Sequence, residues 1–344
     1  MSETMKAVIF HGPKNLRLEN VPMPKPGPDE VLIRVGGALT CGTDFKAYRQ
    51  GHKVLLGKLP SPFGHELAGT VVEAGSGITR FTPGMRVVTA NSAPCDACFF
   101  CAKGQNQLCE NLKLHNGAYA EYNLVPKHIV RHNLWPIEDH VPFEVAALSE
   151  PLACAIHGVD AVDCKEGDTV VILGAGIMSR LLLASLVARG CRTIVVGRSP
   201  EPLVRARAEG ASEVLSINEV DPVAAVQKLT GGRGADVVFE AVGQAATWQQ
   251  AIAMTRKGGK VCLFGGCASG TEVPVDAHRV HYGQLTLFGV FHHTPKYFKA
   301  ALDLISAGKL NHESLIADRI SLDQVPEYFD TMHGRSNSKV AVIP

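Results

Sequence analysis

The stretch "CDACFFCAKGQNQLC" brings Cys95, Cys98, Cys101 and Cys109 within fifteen residues, spaced C-x2-C-x2-C-x7-C. Four thiols so close together suit a disulfide staple, a redox switch, an iron–sulfur site or a closed metal knot. A second set of potential ligands is scattered. "TCGTDF" carries Cys41, "FGHELAGTV" carries His65 and Glu66, and "LSEPLACAIHG" carries Glu150. Singly these are ordinary residues, since a reduced cysteine is commonly a small buried hydrophobe. Beside a nicotinamide-binding fold, Cys41, His65 and Glu150 supply the sulfur, nitrogen and oxygen donors of a catalytic zinc. Such a site keeps one position open, and its metal lowers the pKa of a bound hydroxyl.

A third feature is a glycine turn. "VVILGAGIMSRLLL" sets Gly174 and Gly176 between a strand-like run and a helix-like run. There the backbone must turn tightly and approach a pyrophosphate at a helix N-terminus. The third glycine of that fingerprint is replaced by Ser179, small enough for close helix–strand packing. The following strand ends "IVVGRSP" and offers Gly197, Arg198 and Ser199 where an acid would bind the ribose hydroxyls of NAD. A guanidinium without a carboxylate suits a 2′-phosphate, so NADP is expected in preference to NAD. The expected cofactor-contacting set is Gly174, Gly176, Ile177, Met178, Gly197, Arg198, Ser199, Val242 and Gly243.

The elements that must position these groups fall into two regimes. The first 150 or so residues are rich in glycine and proline, with short runs such as "KAVIF", "EVLIRV", "GTVVEAG" and "MRVVTA". They predict a β-barrel-like domain. From Asp168, "DTVVILGAG", "CRTIVVG", "ADVVFEAVG" and "KVCLFGG" alternate with helical stretches, including "AATWQQAIAMTRKGG". This rhythm predicts an α/β, doubly wound parallel sheet. One more helix, "KYFKAALDLISAGKL", and a closing strand, "SKVAVIP", follow. The 344 residues suffice for two domains. Lysine and arginine total 34 against 33 acidic residues and no block of like charge stands out, which argues against a basic nucleic-acid arm or an acidic tail. The absence of a leader pattern and of an apolar run of about 18 residues leads us to expect a cytoplasmic protein without a membrane span. Thiols stay reduced there, which counts against the disulfide staple.

Together, "CGTD", "GHELAGTVVEAGSGI", "GMRVV", the four-cysteine lobe, "EPLACAIHG", "VVILGAG" and "GGKVCLFG" resemble the zinc-dependent medium-chain alcohol dehydrogenases. The nearest branch is the sorbitol/L-iditol (polyol) dehydrogenases, and the resemblance spans nearly the whole chain. It implies a GroES-like β-barrel catalytic domain (residues 1–152 and 289–344, with a structural-zinc lobe at 91–112) and an inserted Rossmann domain (153–288). It implies two zinc ions per chain. Cys41, His65 and Glu150 would hold the catalytic zinc, with Glu66 as a near or water-mediated ligand; Cys95, Cys98, Cys101 and Cys109 would hold the structural zinc. Thr43 would relay the substrate proton, with Glu66 and His52 as further catalytic candidates.

The chain departs from the family at Lys46, where a histidine is frequent, and in the short segment "ENLKLHN". His292 and His293 resemble a substrate-facing position of polyol dehydrogenases. The remaining cysteines, Cys154, Cys164, Cys191, Cys262 and Cys267, read as packing residues. The implied activity is hydride transfer between NAD(P) and a secondary alcohol, such as a polyol, cyclitol or sugar derivative, by a homodimer or homotetramer. A threonine-type β-hydroxy amino acid dehydrogenase is the alternative enzyme. A non-catalytic zinc scaffold or redox sensor is the alternative of another class.

Overall fold

The computed structural model describes residues 3–331 and 338–344. The chain divides into two compact units, one of residues up to Ala153 with His293–Pro344 and one of Cys154–His292.

The first unit is built on a seven-stranded, mostly antiparallel sheet. Its strands run in the order Leu134–Pro136, Arg86–Thr89, Glu66–Ala74, Val31–Leu39, Lys339–Ile343 and Ile316–Ser321, with Tyr122–Val125 also on Val31–Leu39. Thr4–Gly12, Asn15–Pro22 and Ser61–Pro62 form a second sheet. Alternation explains the pairing: along Thr4–Gly12, Val8 and Phe10 point into the main core while Ala7 and Ile9 join a satellite cluster with Ala120. Each fully buried Val, Ile or Phe contributes about 1.5–3 kcal/mol. The terminal strand returns to the first domain, with Ala341 opposite Leu39 and Val342 opposite Ala38.

The second unit is a six-stranded parallel sheet. In space the strands are Glu213–Ser216, Arg192–Gly197, Thr169–Leu173, Ala235–Glu240, Thr255–Leu263 and Thr286–Gly289. Numbered along the chain this is the order 3-2-1-4-5-6 of a dinucleotide-binding sheet, whose switch point lies beside the first strand. The central strands are buried on both faces and accordingly read as apolar runs. One boundary differs from the sequence reading. The helix of "AATWQQAIAMTRKGG" ends at Met254, and the strand begins at once with Thr255. The reason is a distant cap: Arg279 donates to the carbonyls of Ile252 (3.1 Å), Ala253 (2.8 Å) and Thr255 (2.9 Å). Phe143–Val162 is long and apolar enough to cross a membrane, contrary to the expectation that no such stretch exists; 83% of that window is buried inside the protein, as in a core helix.

Candidate metal centres and cofactor turn

Cys41 sits at the N-cap of the helix Gly42–Gln50, in extended backbone conformation. Its thiol accepts the Thr43 amide at 3.4 Å, while Asp44 Oδ2 accepts the Cys41 amide at 3.2 Å. This reciprocal capping box aims the thiol at the same point as the start of the Glu66–Ala74 strand. One ligand atom each from Cys41, His65 and Glu66 lies within 4.8 Å of the others. His65 is buried, and its Nδ1 is 2.8 Å from Asp44 Oδ1, which leaves Nε2 for a metal. Burial alone would lower the His65 pKa, but the charges of Asp44 and Cys41 outweigh it and raise it well above the ordinary value.

Glu150 stands in the first turn of the helix Ser149–Val162 and is likewise buried. Its Oε1 accepts from Asn91 Nδ2 at 2.9 Å, and His293 Nε2 lies 3.1 Å from Asn91 Oδ1 and 3.6 Å from Glu150 Oε1. Burial, then the charge on Glu66, pushes the Glu150 carboxyl up to about 7. Glu66 is itself fully buried and ion-paired with Lys339. Cys41, His65 and Glu66 bring a thiol, an imidazole and a carboxyl together, and Glu150 stands near enough for its carboxyl to feel the charges of Glu66 and His65. The donor set thus fits zinc.

Other candidates occupy distinct positions. Thr43 is half-buried in the first turn beside Cys41. His52 is exposed, and its Nδ1 accepts the Leu55 amide at 3.1 Å. Lys46 is exposed. His292 has a φ of 59° and its carbonyl accepts from His157 Nδ1 at 2.7 Å.

In the lobe, one sulfur each of Cys95, Cys98, Cys101 and Cys109 lies within 4.8 Å of the others. The Cys98 and Cys101 sulfurs are 3.5 Å apart, and the Cys109 sulfur accepts the Cys95 amide at 3.3 Å. The Ala97 amide, and then the Cys109 thiol, lower the Cys95 pKa to about 6. None of the ten cysteines forms a disulfide; Cys164, Cys191 and Cys262 are buried, and Cys154 and Cys267 partly so. Four converging sulfurs fit a closed zinc site.

Gly174 has a φ of +114°, and a Cβ there would meet Ser179 Oγ at 3.1 Å. Ser179 is buried, in the close packing role its size suggests. Gly176 caps the helix Ile177–Val187, and a Cβ on it would meet nothing within 4 Å. Ile177 and Met178 form that helix's first turn, so the site has room for a pyrophosphate over helix N–H groups. Gly197 ends its strand; Arg198 and Ser199 follow, both exposed. Val242 and Gly243 donate their amides to the buried Glu240 at 2.9 and 3.0 Å.

Sequence reasoning missed Asp44, Asn91, Tyr119, Glu240 and Lys339. Asp44 had a local signal, an acid three residues after the N-cap cysteine. The others are joined to their partners only by the fold.

Two family models match: the alcohol dehydrogenase GroES-like domain over residues 27–138 and the zinc-binding dehydrogenase over residues 179–307. The chain is 30% identical to sorbitol dehydrogenase of Bacillus subtilis, over 99% of this chain and 98% of that one. It is 32% identical to erythritol/L-threitol dehydrogenase of Mycolicibacterium smegmatis, over 99% and 98%. A zinc-binding dehydrogenase from Sinorhizobium meliloti, solved bound to NADP, superposes with a TM-score of 0.91 at 32% identity, covering 100% of both chains. With these matches added to the GroES-like and Rossmann units, the chain belongs to the zinc-dependent medium-chain alcohol dehydrogenase family, in its polyol branch, and is an oxidoreductase of secondary alcohols.

Proposed function

We propose that the protein oxidises a polyol, cyclitol or sugar-derived secondary alcohol reversibly to the ketone, with two zinc ions per chain and with NADP(H) preferred over NAD(H). The convergence of Cys41, His65 and Glu66 ligand atoms within 4.8 Å, with His65 and Glu66 buried, carries the reading. When bound, zinc supplies a Lewis acid for an alcohol oxygen and the nicotinamide supplies a hydride acceptor.

The protein's own residues do the rest. Cys41, His65 and Glu150 would hold the catalytic metal, while Asp44 keeps His65 in the tautomer that offers Nε2. Glu66, tethered by Lys339, would stand as a near ligand. Thr43, whose amide touches the Cys41 sulfur, would take the hydroxyl proton. His52, exposed and with Nδ1 engaged by the Leu55 amide, is the candidate next acceptor toward solvent. Cys95, Cys98, Cys101 and Cys109 would hold the structural zinc and take no part in hydride transfer. Gly174, Gly176, Ile177 and Met178 would cradle the pyrophosphate, and Val242 and Gly243 would line the remainder of the cofactor site. Arg198 and Ser199, beside Gly197, would meet a 2′-phosphate. The NADP-bound relative supports this preference.

The catalytic domain would comprise residues 1–152 and 289–344, and the nucleotide domain 153–288. A thiol-based metal set suits the reducing cytoplasm. The exposed Tyr282 and Phe291, which flank the edge strand Thr286–Gly289 along the chain, support a homodimer or homotetramer. The test is a panel of polyols, cyclitols, threonine and simple alcohols with each cofactor, on enzyme of measured zinc content. A polyol-type alcohol with NADP should give the highest kcat/KM. Preference for threonine would favour the amino-acid alternative, and no turnover with intact metal would favour a scaffold.

A further inference from the structure

Asp44 has two oxygens and three partners, all within the first unit. Oδ1 faces His65 Nδ1 at 2.8 Å; Oδ2 accepts the Tyr119 hydroxyl at 2.7 Å and the Cys41 amide at 3.2 Å. Tyr119 and Asp44 are both completely buried. The Tyr119 oxygen also lies 3.2 Å from the Leu39 carbonyl, but a phenol has one proton. The shorter, charge-assisted contact to the carboxylate claims it.

The ring is held as firmly as the hydroxyl. Gly64, at a φ of +84°, lies flat against it, and a Cβ there would stand 2.8 Å from the ring. Phe63 and Phe329 pack on it with centroids 6.0 Å away. The glycine preceding His65 therefore makes room for the phenol that reaches Asp44.

We propose that Tyr119 is a positioning residue for the metal centre: its hydroxyl fixes the Asp44 carboxylate that orients His65. The proposal rests on the reading of Cys41 and His65 as metal ligands. With Oδ2 pinned by a phenol and an amide, the carboxylate cannot rotate, so Oδ1 stays in line with Nδ1 and Nε2 keeps one direction. Tyr119→Phe removes that hydroxyl and keeps the ring that fills the space beside Gly64.

The test is zinc release from the fully loaded enzyme to a chromophoric chelator. Cys41→Ala identifies the phase belonging to the Cys41 centre, and the lobe zinc is the internal reference. In Tyr119→Phe the Cys41-dependent phase should accelerate about tenfold, the low end of the usual effect of an outer-shell partner. The lobe phase should not change. No acceleration, or equal acceleration of both phases, overturns the proposal, the latter because it reports general loosening. A wild-type enzyme without a Cys41-dependent phase overturns the metal reading beneath it.

Discussion

Lys339 Nζ lies 2.5 and 2.6 Å from the two oxygens of Glu66, a residue 273 positions earlier in the chain, and both side chains are buried. The ammonium also donates to the Thr40 carbonyl at 3.1 Å. Burial alone would lower the Lys339 pKa, but the charge on Glu66 outweighs it and raises it. Replacing the lysine leaves an uncompensated carboxylate in the core. Lys339→Met should therefore cost about 3–5 kcal/mol of stability. Adding Glu66→Gln to it should recover much of the loss, because the carboxylate that the lysine balanced is then gone as well. Chemical denaturation of the two variants measures both numbers.

Thr43→Val exchanges a hydroxyl for a methyl at similar volume. Packing at the half-buried first turn survives while the proton path is cut. Turnover should fall about a hundredfold or more, with cofactor binding little changed. A wild-type rate in this variant would move the proton step to His52, Glu66 or water.

Cofactor choice is best tested at Arg198. Its exposed guanidinium is free to reorient toward a 2′-phosphate, and Arg198→Ala should weaken NADP(H) by about 1.5–3 kcal/mol while sparing NAD(H). The obvious reversal, Gly197→Asp, is a poor test here. A Cβ at Gly197 would stand 2.9 Å from Ala175 Cβ and 3.1 Å from Leu203 Cδ2, so strain would mix with charge. Equal losses for both cofactors in Arg198→Ala would show a surface charge without a role.

Loading of the buried centre should depend on pH through Glu150. Burial raises its carboxyl from 4.5 to about 7. In the metal-free protein this protonation favours the folded state below the unfolded value, and the contribution is lost as pH rises through 7. Metal binding must expel the same proton, so affinity should weaken as pH falls below 7. Competition titrations should show the slope of log Kd against pH falling by about one proton in Glu150→Gln. An unchanged slope would mean that Glu150 does not ligate.

Local patterns carried most of what the sequence revealed. The parallel sheet was legible because its strands are apolar runs separated by helical periodicity, as in Thr169–Leu173 followed by Ile177–Val187. The lobe was legible because its four sulfurs are close in the chain as well as in space. Groups that act across long separations left no such trace. Lys339 reaches Glu66, Tyr119 reaches Asp44, and Asn91 reaches Glu150 only through strand pairing and helix placement. A lysine in "SKVAVIP" reads as a solvated strand end until that strand lies beside Val31–Leu39 and carries its side chain inward. The early end of the Ala245–Met254 helix was equally hidden, since its cap comes from Arg279.

The most direct measurement is zinc content and turnover together in Cys41→Ala and Cys98→Ala. Cys41→Ala should keep its fold and its lobe zinc, lose the second zinc, and lose turnover. Cys98→Ala opens a closed thiolate site and should instead lose stability or assembly. Full turnover in Cys41→Ala carrying a single zinc per chain would contradict the assignment of Cys41, His65 and Glu150 to the catalytic centre.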